Sequence, residues 1–302
     1  MWIPAVSYFS EREEGERPRI DEIIRDVAWR GLQVLVRSRV DDGSFGATYP
    51  AACQEGRGTF GTNEYGFERA IAAEIPGLPG RAWDDTFGSP PRTLDILDMI
   101  EFCWRCIGKP SERDFHEFLG HYHLSFDVEA GRAEFAEAVN RILRRNGVAY
   151  TLTSTGKIER LLPPVLHEAL ISSHVLTPDA ELNRLLLTAS YKLLDPDIVV
   201  RRESLEALWD AWERLKTLGA GADKKAQASA LLNLTAGQKS PKFREALERE
   251  AREMTWIGNN LQIRHTEVTQ ERLAQSAQVD YMFHRLYALV LLILRMNGWA
   301  QV

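Results

Sequence analysis

Residues 204–216 have the sequence SLEALWDAWERLK, the most strongly patterned stretch of the chain. Its apolar side chains recur every three or four residues: Leu205, Leu208, Trp212 and Leu215. Acidic and basic side chains occupy the opposite face. This period is typical of an amphipathic α-helix that buries one side against other helices.

The segments on both sides of this stretch carry similar helical patterns. Helices are predicted over residues 165–174, 178–194, 201–218, 223–235, 241–257 and 276–297. Breakers such as Asp195-Pro196 and the glycines at 219 and 221 separate them. Because short connections favour neighbouring helices, the C-terminal part is predicted to be a bundle of four to six helices.

The first half of the chain is more mixed. Helices are predicted over residues 21–37, 93–107, 113–122 and 133–145. Residues 148–152 and 157–161 flank a Ser154-Thr155-Gly156 turn and predict a β-hairpin. The fold class is therefore mainly α with a small β-hairpin. We expect an N-terminal accessory α+β domain over residues 1–165 and a helical bundle over residues 166–302.

Composition limits the classes of function. The chain has 302 residues, of which 44% are hydrophobic and 26% are charged, as in globular proteins of about two domains. Its formal net charge of −6 means that any nucleic-acid contact needs a local basic patch. Three cysteines and an N-terminus without a secretory apolar region predict a cytoplasmic protein. The most apolar stretch, Tyr287–Leu294, is too short to span a bilayer, so no membrane partner is expected.

Two glycine motifs resemble phosphate-binding loops but lack the required context. Gly56-Arg57-Gly58-Thr59-Phe60-Gly61 has the letters of a dinucleotide-binding motif, yet Pro50 argues against the central strand that must precede it. Gly156-Lys157 lacks the upstream glycine and the hydroxyl residue of a phosphate loop. A surface loop and a hairpin turn are predicted, and no cofactor is expected.

Zinc-ligand residue types occur between residues 103 and 123. Cys103 and Cys106 form a C-x-x-C pair, and three histidines follow: His116, His121 and His123. Thiolate and imidazole both bind zinc. The favoured interpretation is buried free thiols and histidines on a helix surface, with no metal. A metal-bound regulatory protein stays open as an alternative.

Residues 256–267, WIGNNLQIRHTE, concentrate polar side chains between two helical segments. Arg264 can hold a phosphate, His265 can exchange a proton near neutral pH, and Glu267 can orient that imidazole. These are the parts of a metal-free RNA-cleaving site, to which Asn259 and Asn260 add hydrogen-bonding groups. The same residues also fit a capped helix start with a structural ion pair between Arg264 and Glu267.

The chain as a whole resembles AbiJ-type abortive-infection proteins, and its C-terminal part resembles the HEPN superfamily of helical bundles. The segments that carry the resemblance are Phe9–Glu13, the hairpin start at Asn146-Gly147, Leu208–Lys216 and Ile263–Glu267. The HEPN signature is an Arg followed four to six residues later by a His, between the last two core helices. Here Arg264 is adjacent to His265, and the positions five and six residues before it hold Asn260 and Asn259.

The resemblance implies a phage-defence protein with a metal-independent HEPN-type endoribonuclease. It also implies a homodimer formed through the C-terminal bundle, in which two copies of the motif share one groove. Tyr281, Phe283, His284 and Tyr287 are candidates for the dimer face, and packing in the core of the bundle explains the same residues about as well. The partners would be RNA and a phage or host protein trigger. Because the spacing of the Arg/His motif departs from the family pattern, a non-catalytic dimeric sensor or scaffold of a defence system stays open as the alternative.

Overall fold

The computed structural model describes residues 8–78, 81–84, 88–162, 174–175, 177–263 and 270–301. The chain divides into two compact units, Met1–Leu161 and Leu162–Val302. The described part is mainly helical with short antiparallel strands, which confirms the predicted fold class.

The first unit combines helices with a small sheet. Its helices are α1 (Phe9–Glu14), α2 (Asp26–Asp41), α3 (Glu64–Glu74), α4 (Thr93–Cys106) and α5 (Val128–Arg145), with a 3-10 turn at Ser44–Ala47. Its strands are β1 (Pro50–Ala52), β2 (Thr59–Thr62), β3 (Lys109–His116), β4 (His121–Asp127), β5 (Tyr150–Leu152) and β6 (Ile158–Arg160). The predicted helices at 21–37, 93–107 and 133–145 correspond to α2, α4 and α5.

Four of these strands form one antiparallel sheet in the order β1-β2-β4-β3. The β1–β2 hairpin joins the second hairpin through a single register pair, Thr59 opposite Leu124. The glycine-rich stretch at 56–61 spans the loop of the first hairpin and enters β2, so the predicted loop is confirmed at Gly56 and Gly58.

The helix predicted over residues 113–122 is wrong. This segment forms the end of β3, a turn, and the start of β4, with His116 opposite His121 in the register. Gly120 adopts a left-handed φ of 65°, which closes the turn and is unfavourable within a helix. The histidines therefore belong to a β-hairpin, where alternate residues share one face.

The core of the first unit lies between its helices. Ala28, Leu32, Val36 and Val40 are buried at four-residue intervals along α2. Phe45, Phe67 and Phe102 contribute an aromatic cluster, in which the rings of Phe45 and Phe67 stack 4.2 Å apart. This packing fixes the helices that flank the sheet.

The predicted hairpin at 148–161 is confirmed as β5 and β6, and side chains cover its outer edges. Asn140 on α5 accepts from the N–H of Leu152 and donates to its carbonyl, each at 2.8 Å. Arg19 donates to the carbonyls of Val148 and Tyr150. On the other strand, the Glu101 carboxylate accepts from the N–H of Ile158 at 2.6 Å.

The second unit is a helical bundle. Its helices are α6 (Ala180–Leu193), α7 (Ile198–Lys216), α8 (Lys224–Ala236), α9 (Pro241–Asn260) and α10 (Ser276–Met296). All five match predicted helices. The segment predicted over 165–174 lies outside the described residues except at His174. There a two-residue strand, β7 (His174–Val175), pairs with β8 (Ala300–Gln301).

Three aspartates begin helices of the bundle. Asp179, Asp197 and Asp223 each accept a backbone N–H from the first turn of α6, α7 and α8. Helix α7 packs between α6 and α10, and it buries Trp209 and Trp212 completely. Among the residues described, α10 is the one helix long and apolar enough to cross a membrane, but half of its most apolar window is buried in the bundle. Core packing accounts for this composition.

Candidate functional site

The predicted RNA-cleaving site is described only in part. Arg264, His265 and Glu267 lie outside the described residues. Asn259 and Asn260 form the exposed end of α9. The amide of Asn260 donates to the carbonyl of Trp256 at 2.8 Å, so it caps its own helix. Both asparagines therefore lie at a solvent-reachable helix terminus.

Residues 270 and 271 contact this helix end. The N–H of Glu271 donates to the carbonyl of Asn260 at 3.1 Å, and Nε2 of Gln270 donates to the carbonyl of Asn259 at 2.6 Å. Gln262 begins the loop with a left-handed φ of 50°, which is uncommon for a residue with a side chain. Residues 270 and 271 therefore lie against the end of α9.

A close helix contact supports this end of α9. Gly258 is buried, and a Cβ built on it would lie 2.4 Å from Cδ1 of Trp209 on α7. The indole N–H of Trp209 donates to the carbonyl of Met254 at 2.8 Å. The last turn of α9 is therefore fixed against α7 by both packing and a buried hydrogen bond.

Two of the four side chains predicted for a dimer face belong to the core instead. Phe283 and Tyr287 are buried, and their rings stack 5.5 Å apart. They lie on the inner face of α10. An apolar pattern in sequence does not distinguish a face packed within the bundle from one packed against a second copy. Tyr281 on the same helix is 57% exposed, and Trp256 on α9 is 55% exposed.

A second group of reactive side chains occurs in the first unit. Cys53 follows β1 directly, and His121 and His123 lie on β4, two residues apart. One potential ligand atom from each of these residues lies within 4.8 Å of the others. Cys53 and His123 are buried, and His121 is half-buried. We call Cys53, His121 and His123 the Cys-His cluster.

The imidazoles of the Cys-His cluster have free nitrogens. Nε2 of His121 and Nε2 of His123 are buried without a hydrogen-bond partner in the part of the chain that the structure describes. Phe60 stacks on the His121 ring at 4.6 Å and fixes its orientation. Burial, and then the neighbouring His123 and His116, lower the pKa of His121, so its imidazole is neutral at pH 7.

His116 lies beside the cluster but uses both of its nitrogens. Its Nδ1 accepts from the N–H of Leu119 at 3.2 Å, so Nε2 carries the proton and donates to the Glu55 carboxylate at 2.9 Å. This hydrogen bond is the main cause of the lowered pKa of Glu55, which stays ionised. Glu55 belongs to the loop between β1 and β2, so the pair connects that loop to the end of β3.

The C-x-x-C pair lies elsewhere. Cys103 and Cys106 are buried in the core on α4, and neither belongs to the Cys-His cluster. Burial raises the pKa of both thiols, which keeps them protonated and unreactive. The prediction of buried free thiols is confirmed for this pair.

Sequence reasoning missed Cys53 as a neighbour of the histidines. The available signal was His121-x-His123, which puts two imidazoles on one face only if the segment is a strand. A helical assignment hid this relation. The position of Cys53 depends on the pairing of β2 with β4, which brings together distant parts of the chain.

Comparison with known families decides the relationship of this chain. The family described as AbiJ N-terminal domain 4 matches residues 7–173, more than half of the chain. The chain belongs to the AbiJ family. Its membership assigns it to abortive infection, a form of phage defence. No curated protein and no solved structure matches the chain.

The AbiJ match covers the first unit from residue 7 onward and includes every residue of the Cys-His cluster. It ends before α6, so helices α6–α10 lie beyond the matched residues. The AbiJ assignment therefore identifies the N-terminal part directly, whereas the activity of the bundle has to be argued from its own residues.

Proposed function

We propose that this AbiJ-family protein acts in phage defence as a metal-independent endoribonuclease of HEPN type. The cytoplasm would be its compartment. Its C-terminal bundle would cut RNA as a homodimer, and a phage or host protein would trigger it. The catalytic group would comprise Arg264, His265 and Glu267, with Asn259 and Asn260 beside them.

The approach of residues 270 and 271 to the exposed end of α9 is the observation that supports this proposal. The side chain of Gln270 and the N–H of Glu271 donate to the carbonyls of Asn259 and Asn260, so the chain on both sides of the proposed catalytic residues lies at the same helix end. This is the position, between the last two core helices, that the HEPN signature occupies. The buried contact of Gly258 with Trp209 fixes this helix end against α7.

The chemistry follows from the residue types. His265 would remove the proton from the ribose 2′-hydroxyl, and Glu267 would hold the imidazole in the required tautomer. Arg264 would stabilise the charge that develops on the phosphate. Because the net charge of the chain is −6, binding would depend on this local cation rather than on a general attraction.

A homodimer would bring two such loops to one RNA strand. The exposed aromatic side chains of Trp256 and Tyr281 offer apolar surface on α9 and α10 for association. Sedimentation of the purified chain measures this directly. A dimer supports the arrangement, and a monomer at assay concentration that still cuts RNA contradicts it.

The activity is tested with full-length protein and single-stranded RNA, without divalent cations and after brief treatment with a chelator. We expect cleavage, and we expect the His265→Ala variant to lose at least about 100-fold in rate, as is typical for removal of a general base. Arg249→Ala is the matched control, since it removes an exposed guanidinium from the same unit outside the loop. It should keep wild-type activity.

Two outcomes contradict the catalytic proposal. One is cleavage that persists undiminished in a folded His265→Ala variant. The other is full anti-phage protection by an Arg264→Ala, His265→Ala double variant in cells, which would favour a non-catalytic scaffold. Circular dichroism of each variant shows whether the bundle is folded.

A further inference from the structure

We propose that the Cys-His cluster of the first unit is a zinc site, with Cys53, His121 and His123 as ligands. The thiolate of Cys53 and Nε2 of each imidazole would bind the ion. The site is independent of the bundle and of the proposed RNA cleavage.

The geometry fits a small ion held between β1 and β4. The candidate ligand atoms lie within 4.8 Å of one another. Ligand atoms around a tetrahedral zinc ion lie about 3.3–3.6 Å apart, as follows from bond lengths of about 2.0–2.3 Å. Binding of an ion would therefore draw the three groups together by up to about 1.5 Å.

A buried polar group without a partner is the second observation. His123 is only 8% exposed, and its Nε2 has no hydrogen-bond partner within the described part of the chain. Leaving such a nitrogen unpaired carries a free-energy cost, because it has lost its hydrogen bonds to water. A metal ion coordinated by this nitrogen and by the equally unpartnered Nε2 of His121 removes that cost.

The donor set selects the class of metal. One thiolate and two imidazoles match the N/S preference of zinc, whereas calcium and magnesium require oxygen ligands. Because both nitrogens of His116 are engaged, that residue is not a ligand. Three protein ligands leave the fourth tetrahedral position to water. Binding would release the thiol proton of Cys53 to solvent.

Zinc at this position would connect the loop between β1 and β2 to β4. Strand β2 pairs with β4 in the register at Thr59 and Leu124. Cys53 begins the loop that its own N–H closes by donating to the carbonyl of Gly58 at 2.8 Å. The ion would fix this loop, and the adjacent Glu55–His116 pair, onto β4.

The test measures metal in the purified full-length protein. After incubation with zinc and dialysis, we expect about one zinc ion per chain. A folded Cys53→Ser variant should bind zinc at least about 100-fold more weakly. Loss of a group that only orients a metal ligand already lowers affinity about 10–100-fold, so loss of a ligand should do at least as much. Cys106→Ala, which changes a thiol outside the cluster, should keep one equivalent.

Cobalt provides a second measurement, which can be made on the wild-type protein itself. Wild-type protein loaded with Co²⁺ should show the absorption of a thiolate–cobalt bond, and Cys106→Ala should show it too. Wild-type protein that takes up less than about one tenth of an equivalent of either metal overturns the proposal. So does a metal site that disappears in Cys106→Ala and survives in Cys53→Ser.

Discussion

Replacing Gly258 by alanine tests the close packing under the α9 terminus. The new Cβ would lie 2.4 Å from Cδ1 and 2.5 Å from Nε1 of the fully buried Trp209 indole. The indole has to move by about 1 Å, which typically costs about 1–3 kcal/mol in a packed core. Its hydrogen bond to the Met254 carbonyl is then lost, at about 1–3 kcal/mol.

Alanine also favours the helix, by about 1 kcal/mol relative to glycine. The expected net loss is therefore about 3 kcal/mol in the free energy of unfolding of the bundle. With a urea dependence of about 2 kcal/mol per molar, the midpoint of unfolding falls by about 1.5 M. Hydrogen-exchange mass spectrometry across a series of urea concentrations measures this midpoint. Peptides from α7 and α9 report the unfolding of the bundle.

Peptides from α4 serve as an internal control, because that helix belongs to the first unit. The same change made in a Trp209→Phe variant provides the matched comparison. Without the indole N–H, Gly258→Ala should lower the free energy of unfolding by at least about 1 kcal/mol less than it does in the wild-type protein. An unchanged or raised midpoint for Gly258→Ala in the wild-type background would refute the close contact.

Two other substitutions test individual contacts. The hydrogen bond from Arg214 is the main cause of the lowered pKa of Asp179. The ionised Asp179 carboxylate therefore stabilises the fold at pH values above its ordinary pKa of about 3.9, and this stabilisation is lost as the pH falls through the pKa of Asp179 in the folded protein. Thermal unfolding should therefore show Asp179→Asn less stable than wild type at pH 7 but not at pH 2; an equal deficit at both would contradict this. The Gly156→Ala variant places a Cβ 2.1 Å from Trp104 at a φ of 81°, and its free energy of unfolding should fall by about 2–4 kcal/mol. Gly120→Ala adds a Cβ in open space, so its free energy of unfolding should fall by only about 1 kcal/mol. Equal losses in the two variants would argue against the Trp104 contact.

The bundle was predictable because its helices are one-sided. Leu205, Leu208, Trp212 and Leu215 are all buried on α7, as their spacing indicates. Asp-Pro and glycine breakers marked the helix ends, and aspartates begin three of the helices. A pattern repeated over several turns leaves little choice of secondary structure.

The histidine hairpin was not predictable by the same means. Phe115, Leu119 and Tyr122 are spaced as on a helix, although Phe115 and Tyr122 are in fact paired across two strands. Three apolar residues at helical spacing over one short segment do not distinguish a helix from a pair of strands. The approach of Cys53 to His121 depends on tertiary pairing of strands, and local sequence carries no record of it.

The side chains along the β5–β6 hairpin restrict how copies of this protein can associate. An exposed strand edge invites another chain to add a strand. Here Asn140 already satisfies both backbone groups of Leu152, and Glu101 satisfies the N–H of Ile158. A strand from another chain would have to displace these side chains before it could pair with the hairpin. This disfavours aggregation by successive strand addition at the hairpin edges. Copies of this chain that associate with each other would therefore do so through surfaces other than the edges of this hairpin.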